Sequence, residues 1–167
     1  PHSADFSGMA CAVPVTGTPR FVLLEAGDVP TTDIVTRLTR AFADERVAVA
    51  QGLGVSFADD SIEHGPGGRH DLTFERAALN PMLGTRGCAF WTGSGSLVSV
   101  DALREALSTT TVTSPATALE AHWVLSDSLF SAGWCIVAPV EVAVVAHRVE
   151  PLESVVYSDR RARVRAS

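Results

Sequence analysis

Short apolar runs alternate with segments of helical periodicity along most of the chain, and this alternation is the feature that most restricts its fold. Residues 20–25 and 46–52 ("RVAVAQG") are apolar runs with the length and composition of buried strands. Segments of helical periodicity follow at residues 33–43 and 115–133, the second ending at Gly133. Strands that alternate with helices predict an α/β fold.

The remaining segments continue this pattern. Residues 88–100 ("CAFWTGSGSLVSV") predict a strand, a turn at residues 92–96 ("TGSGS", the glycine turn) and a second strand. A short helix is expected over residues 101–108, with Asp101 as its N-cap. Residues 134–147 supply one or two further strands, whereas the polar, Gly-rich stretch from 53 to about 70 predicts a mobile loop.

The helix predicted over residues 33–43 is amphipathic. Thr31 or Thr32 can cap its N-terminus. Three apolar residues recur at a spacing of four along one face: Ile34, Leu38 and Phe42.

Composition limits the class of protein. A chain of 167 residues that is 46% hydrophobic is long enough for one globular domain, so we expect a single domain over residues 1–167. The net charge of −6 argues against a nucleic-acid-binding protein. The sequence contains no apolar stretch of membrane-spanning length, so we expect no membrane span.

The three cysteines give an expectation about compartment. Cys11, Cys88 and Cys135 are odd in number and far apart in sequence, and no CxxC pair is present. This spacing favours reduced, buried thiols over a disulfide framework or a zinc site. We therefore expect a cytoplasmic domain, or the cytosolic part of a membrane-associated protein.

An acidic turn follows the first apolar run, in "FVLLEAGDVP" at residues 21–30. Open α/β sheets deliver carboxylates to a metal or a phosphate at the carboxyl ends of their strands. Glu25 and Asp28 are therefore candidate metal ligands. The alternative is that Asp28 ends a turn and Glu25 is a solvated strand end.

Four segments, in order, resemble cellulose-synthase-like family 2 glycosyltransferases. They are "FVLLEAGDVPTTDIVTRLTRAFADERVAVAQG", "GCAFWTGSGSLVSVDAL", "TVTSPATALEAHWVLSDSLFSAGWCIVA" and "RRARV". The resemblance implies a GT-A-like fold, a mixed sheet flanked by helices. It also implies transfer of a sugar from a UDP-sugar to a polysaccharide, with Mg²⁺ or Mn²⁺ as the cofactor in an active enzyme.

The resemblance places Glu25 on the first Asp of the family's DxD motif and Gly27 on the second, with Asp28 next to it. Ser114 and Pro115 occupy the position of the catalytic base, and neither side chain accepts a proton near neutral pH. No intact catalytic residue is therefore expected, and an active transferase is not the simplest interpretation.

The resemblance also implies a set of substrate-binding residues. The aromatic pair and glycine turn would lie beside the acceptor sugar, since aromatic rings and small polar groups suit carbohydrate. The arginines near the carboxyl end could bind a diphosphate, and the alternative is a solvated basic tail. The predicted substrate-binding residues are Phe90, Trp91, Gly93, Ser94, Gly95, Arg160, Arg161 and Arg163. For Phe90 and Trp91 the alternative is a place in the core.

Two functional hypotheses remain. The first is a family 2 glycosyltransferase domain with impaired catalysis, in which the N-terminal nucleotide-binding half is missing from the segments that match. The second is a non-catalytic binding or regulatory module with the same fold inside a larger signalling or polysaccharide-assembly protein. Expected partners are a UDP-sugar or a glycan if the domain is active, other domains of a parent protein, or a second copy of the chain that covers a free strand edge.

Overall fold

The computed structural model describes residues 17–25, 28–56, 78–110, 118–140 and 142–146. These residues form two mixed sheets flanked by helices, which confirms the predicted α/β class. The strands are β1 (Arg20–Leu23), β2 (Asp28–Pro30), β3 (Val47–Gln51), β4 (Leu53–Ser56), β5 (Ser96–Ser99), β6 (Cys135–Val137) and β7 (Val142–Ala146). The α-helices are α1 (Ile34–Thr39), α2 (Asn80–Gly84), α3 (Val100–Thr109) and α4 (Ala118–Ser131), and a 3₁₀ helix at Arg40–Ala43 extends α1.

The main sheet has the strand order β1-β5-β3-β6. Strand β5 runs antiparallel to both of its neighbours, and β3 runs parallel to β6. All five residues of β3 are buried, as expected for the run "VAVAQ" at the centre of a sheet covered on both faces. The predictions of strands at β1, β3 and β5 are therefore confirmed, but β1 is an edge strand whose residues are half-buried or exposed, not buried as expected, and it ends at Leu23, before the acidic turn.

The second sheet has the order β2-β7-β4, with β7 antiparallel to β2 and parallel to β4. Two of its strands lie where the sequence predicted irregular structure: β2 directly after the acidic turn, and β4 at the start of the predicted loop. Both are short and depend on pairing with β7, which is distant in sequence. Conversely, a strand was predicted just before the glycine turn, and the structure has there only a single bridge between Cys88 and Ile136.

Helices α1, α3 and α4 occupy their predicted positions, whereas α2 was not predicted, and two predicted caps are wrong. Helix α1 begins after Asp33, and no side chain caps it by a hydrogen bond. Helix α3 begins one residue earlier than expected, so that Ser99, not Asp101, is its N-cap and accepts a bond from Ala102 N–H. At the end of α4 the chain turns through Gly133 with φ +87°, as predicted.

Helices cover both faces of the main sheet. Successive side chains of a strand point to opposite faces, so Leu97 and Val98 of β5 enter different clusters. Leu97 packs with Ile34 and Leu38 of α1, whereas Val98 packs with side chains of α3 and α4. Among the side chains of the α3–α4 layer, Leu103, Leu125 and Leu129 are almost fully buried.

The two sheets meet at Gly52, the residue between β3 and β4. Its N–H donates to Gly95 O over 3.0 Å. A Cβ at Gly52 would lie 2.1 Å from the Cβ of Ala143 in β7. Ala143 and Val144 share a buried cluster with Ala50 and with α1, so the second sheet closes against the main one only because residue 52 has no side chain.

The cysteine prediction is partly wrong. Cys88 and Cys135 are free thiols, as expected, but Cys88 is exposed and Cys135 is half-buried. Cys11 lies outside the described residues, as does the predicted loop from residue 57 to about residue 70. No helix in the described ranges is long and apolar enough to cross a membrane.

Substitution of Gly52 by Ala should lower the free energy of unfolding by about 1–3 kcal/mol, because the added methyl overpacks the junction between the sheets. Urea denaturation measures this loss. Gly17→Ala is the matched control, since a Cβ there meets nothing within 4 Å. An equal loss for both variants would contradict this account of the junction.

Candidate functional site

The acidic turn is closed by a backbone hydrogen bond. Asp28 N–H donates to Glu25 O over 3.1 Å, which joins the end of the first strand segment to the start of β2. The Glu25 side chain is exposed and that of Asp28 is half-buried. Ala26 and Gly27 lie between them, outside the described residues, so the position that the resemblance assigns to Gly27 is not described.

Ser94 connects the acidic turn to the glycine turn. Its hydroxyl donates to Asp28 Oδ2 and accepts from the backbone N–H of Glu25 over 3.1 Å. These partners are 66 and 69 residues away in sequence. A backbone bond from Gly95 N–H to Leu23 O, 2.9 Å long, fixes the same contact one residue further along. The structure therefore brings Glu25, Asp28 and Ser94 together.

The glycine turn needs glycine on both sides of Ser94. Gly93 has φ +101° and Gly95 has φ +76°, a region that other residues enter only at a cost. A Cβ at Gly93 would lie 2.9 Å from Cε1 of His122 in α4. A Cβ at Gly95 would lie 3.0 Å from a methyl of Val144. The turn is thus held between α4 on one side and β7 on the other.

Gln51, the last residue of β3, holds the glycine turn through hydrogen bonds from its side chain. Its side chain is buried, with the residue only 4% exposed. The amide nitrogen donates to Ser94 O and Gly52 O, each over 2.9 Å, and the amide oxygen accepts from Thr92 N–H over 3.1 Å. Two of these three hydrogen bonds hold the glycine turn, at Thr92 and at Ser94, and the third goes to Gly52 next to Gln51.

Trp91 lies in the core, which is the alternative that the sequence left open. It is 0% exposed, so neither face of its ring is available to stack on a sugar. Its indole N–H donates to Ser96 Oγ over 2.9 Å, and its backbone N–H donates to Ser126 Oγ over 3.1 Å. The His122 ring meets it edge-on, with centroids 4.8 Å apart. Trp91 therefore supports the glycine turn from within the core.

Phe90 is half-buried and stacks on Trp123, with ring centroids 4.0 Å apart. Its backbone is held on both sides by the side-chain amide of Asn80. Phe90 N–H donates to Asn80 Oδ1 over 2.7 Å, and Asn80 Nδ2 donates to Phe90 O over 3.0 Å. Of the aromatic pair, Phe90 is therefore the residue that keeps some contact with solvent beside the glycine turn.

Several of these residues were missed by the sequence analysis. Gln51 carried a usable signal, since it is a polar residue at the end of an otherwise apolar buried strand. Asn80, His122 and Ser126 carried none, because their partners come from other segments of the chain.

The described residues at the acidic turn do not fit a Mg²⁺ or Mn²⁺ site. Within the described ranges, no group of three or more His, Cys, Asp or Glu side chains is placed to hold a metal ion. Asp28 Oδ2 already accepts from the Ser94 hydroxyl, and the Glu25 N–H lies 3.4 Å from the same oxygen. These cations need several oxygen ligands at short distances, and the oxygen best placed to supply one is engaged within the protein.

Five of the predicted site residues lie outside the described residues. They are Ser114, Pro115, Arg160, Arg161 and Arg163. The proposals for the catalytic-base position and for the diphosphate-binding arginines remain predictions from the sequence.

No protein-family model matches the chain, and no curated protein matches it. Function is therefore inferred from the geometry of the two turns and from the segments quoted above.

Substitution of Gly93 by Ala should lower stability through two effects: the positive φ, worth about 1–2 kcal/mol, and the contact with His122. Gly133→Ala is the matched control, because it has φ +87° and nothing within 4 Å of its added Cβ. Urea denaturation should give a larger loss for Gly93→Ala. Equal losses would mean that the His122 contact contributes nothing.

Substitution of Gln51 by Met, which has a similar shape, should remove the three side-chain hydrogen bonds of Gln51, two of which go to the glycine turn. Unpaired buried polar groups cost about 1–3 kcal/mol each, and the turn should become locally less stable. Hydrogen exchange of the Thr92 and Glu25 amides should accelerate more than that of the α3 amides. Uniform acceleration over the whole protein would indicate a global effect and contradict a specific role in the turn.

Proposed function

We propose that this chain is a glycosyltransferase-like domain of the cellulose-synthase-like family 2 type that binds a sugar ligand and has impaired transfer chemistry. The observation that carries the proposal is the contact between Ser94 and the acidic turn. Two segments that resemble the family's diphosphate side and acceptor-sugar side, 66 residues apart, meet through one hydroxyl. A sugar transferase needs those two sides next to each other.

The order of elements supports the same proposal. In the described ranges a strand is followed by the acidic turn, the short strand β2, a helix and a buried strand. After β4 and α2 come the aromatic pair, the glycine turn, a strand and a helix. A mixed sheet with helices on both faces is the coarse architecture that a GT-A-like fold requires. Fold alone does not establish function, so the site carries more weight.

Three features support impaired catalysis. Position 27 has no carboxylate, and positions 114–115 have no proton acceptor in the sequence. The Asp28 carboxylate is bonded to Ser94. Among the described residues of the predicted site, the half-buried Phe90 ring is the group suited to a carbohydrate, since the Ser94 hydroxyl is bonded to Asp28 and Glu25.

The engagement of Asp28 also favours a second candidate, a non-catalytic regulatory module that has the fold and binds no sugar. The two candidates differ in whether a nucleotide sugar or a glycan binds at all. They share the expectation that no sugar is transferred.

Calorimetric titration with UDP, UDP-glucose and cellotetraose, each with and without Mn²⁺, should separate these candidates. Binding with a Kd below about 1 mM, without release of UDP from UDP-glucose, is expected for the proposed domain. Phe90→Ala should weaken it, whereas Phe130→Ala is the matched control, because Phe130 is also half-buried but lies two turns beyond His122 on α4.

Transfer of glucose in the presence of Mn²⁺ would overturn the impaired part of the proposal. Absence of heat with every ligand would overturn sugar binding and leave the regulatory module.

A further inference from the structure

We infer that the Ser94 hydroxyl takes the place on Asp28 that a divalent cation would need, so that the acidic turn is a hydrogen-bonded clasp between β1, β2 and the glycine turn. The clasp consists of Asp28, Ser94 and the backbone of Glu25. Its role is to join two parts of the main chain, and it works without metal.

Two donors approach the same carboxylate oxygen of Asp28. The Ser94 O–H and the Glu25 N–H both approach Asp28 Oδ2, and the Glu25 N–H also donates to Ser94 Oγ. Each donor presents the positive end of a dipole to the carboxylate. A cation at the same oxygen would have to displace the hydroxyl and break its bond to the turn.

The backbone around Ser94 is held in place, so the hydroxyl cannot easily leave Asp28. Its carbonyl oxygen accepts from the buried amide of Gln51 over 2.9 Å. Its neighbours Gly93 and Gly95 hold the positive φ angles of the turn and pack against His122 and Val144. The backbone on both sides of the serine is therefore fixed by contacts that do not involve the acidic turn.

The clasp joins the acidic turn to the glycine turn. The hydrogen bond from Gly95 N–H to Leu23 O lies beside it and ties the same two segments. Beyond the acidic turn, β2 pairs with β7 through the second sheet. The clasp thus sits where the chain passes from the main sheet to the second sheet, and it stabilises that crossing.

A double-mutant cycle with Asp28→Ala and Ser94→Ala tests the clasp. Hydrogen bonds to charged groups are worth about 1.5–3 kcal/mol, so each single change should lower the folding equilibrium constant at least about tenfold. The double variant should lose about as much as either single variant, since both remove the same interaction. Ser94→Thr keeps the hydroxyl and should recover most of the loss.

Mn²⁺ binding provides a second readout, which tests whether a cation can take the place of the Ser94 hydroxyl on Asp28 independently of folding stability. The unmodified protein, titrated with Mn²⁺ and followed by electron paramagnetic resonance, should bind none at this turn up to millimolar concentration. The test remains decisive if Ser94→Ala does not fold, because it needs only the unmodified protein and Asp28→Asn.

Two results would overturn the inference. One is additive losses in the double variant, which would show that Asp28 and Ser94 do not stabilise each other. The other is micromolar Mn²⁺ binding that Asp28→Asn abolishes. Neither measurement uses a sugar or a nucleotide, so failure of the proposed function leaves the clasp intact, and failure of the clasp leaves sugar binding to be tested separately.

Discussion

The buried side chain of Gln51 is the interaction on which the arrangement of the turns depends. An amide removed from water must find partners for its donors and its acceptor, and Gln51 finds them in the backbone of residues 52, 92 and 94. This requirement fixes the glycine turn above β3. The glycine turn then places Ser94 against the acidic turn and Gly93 against α4. A polar residue at a strand end thus determines how three distant segments meet.

The sequence predicted those parts of the fold that depend on local pattern. The strand β3 was evident from an apolar run that is buried along its whole length, and α4 from its length and its terminal glycine. Strands β2 and β4 were missed because they are short and exist through pairing with β7. The site was predicted in part for the same reason. The acidic turn and the glycine turn were visible as motifs, but the partners that Gln51 and Ser94 find in other segments lie more than forty residues away and have no local signature.

The geometry also changes how the aromatic pair is interpreted. Two adjacent aromatic residues beside a small polar turn suggest two sugar-stacking faces. The structure buries Trp91 completely, and its indole N–H donates to Ser96. Phe90 is half-buried, and its backbone is hydrogen-bonded to the side-chain amide of Asn80. One ring of the pair therefore supports the turn, and the other lies beside it. A carbohydrate site at this place would be shallow, built on one phenyl ring and polar groups of the turn.

The position of β5 has a consequence for how the protein unfolds. Its consecutive residues Leu97 and Val98 belong to the two hydrophobic layers on opposite faces of the main sheet, and its edges are bonded to β1 and β3. Melting of either layer would strip one face of this strand and expose its ladder to water. Partly folded forms that keep only one layer are therefore disfavoured, and the two layers should lose their structure in a single cooperative step.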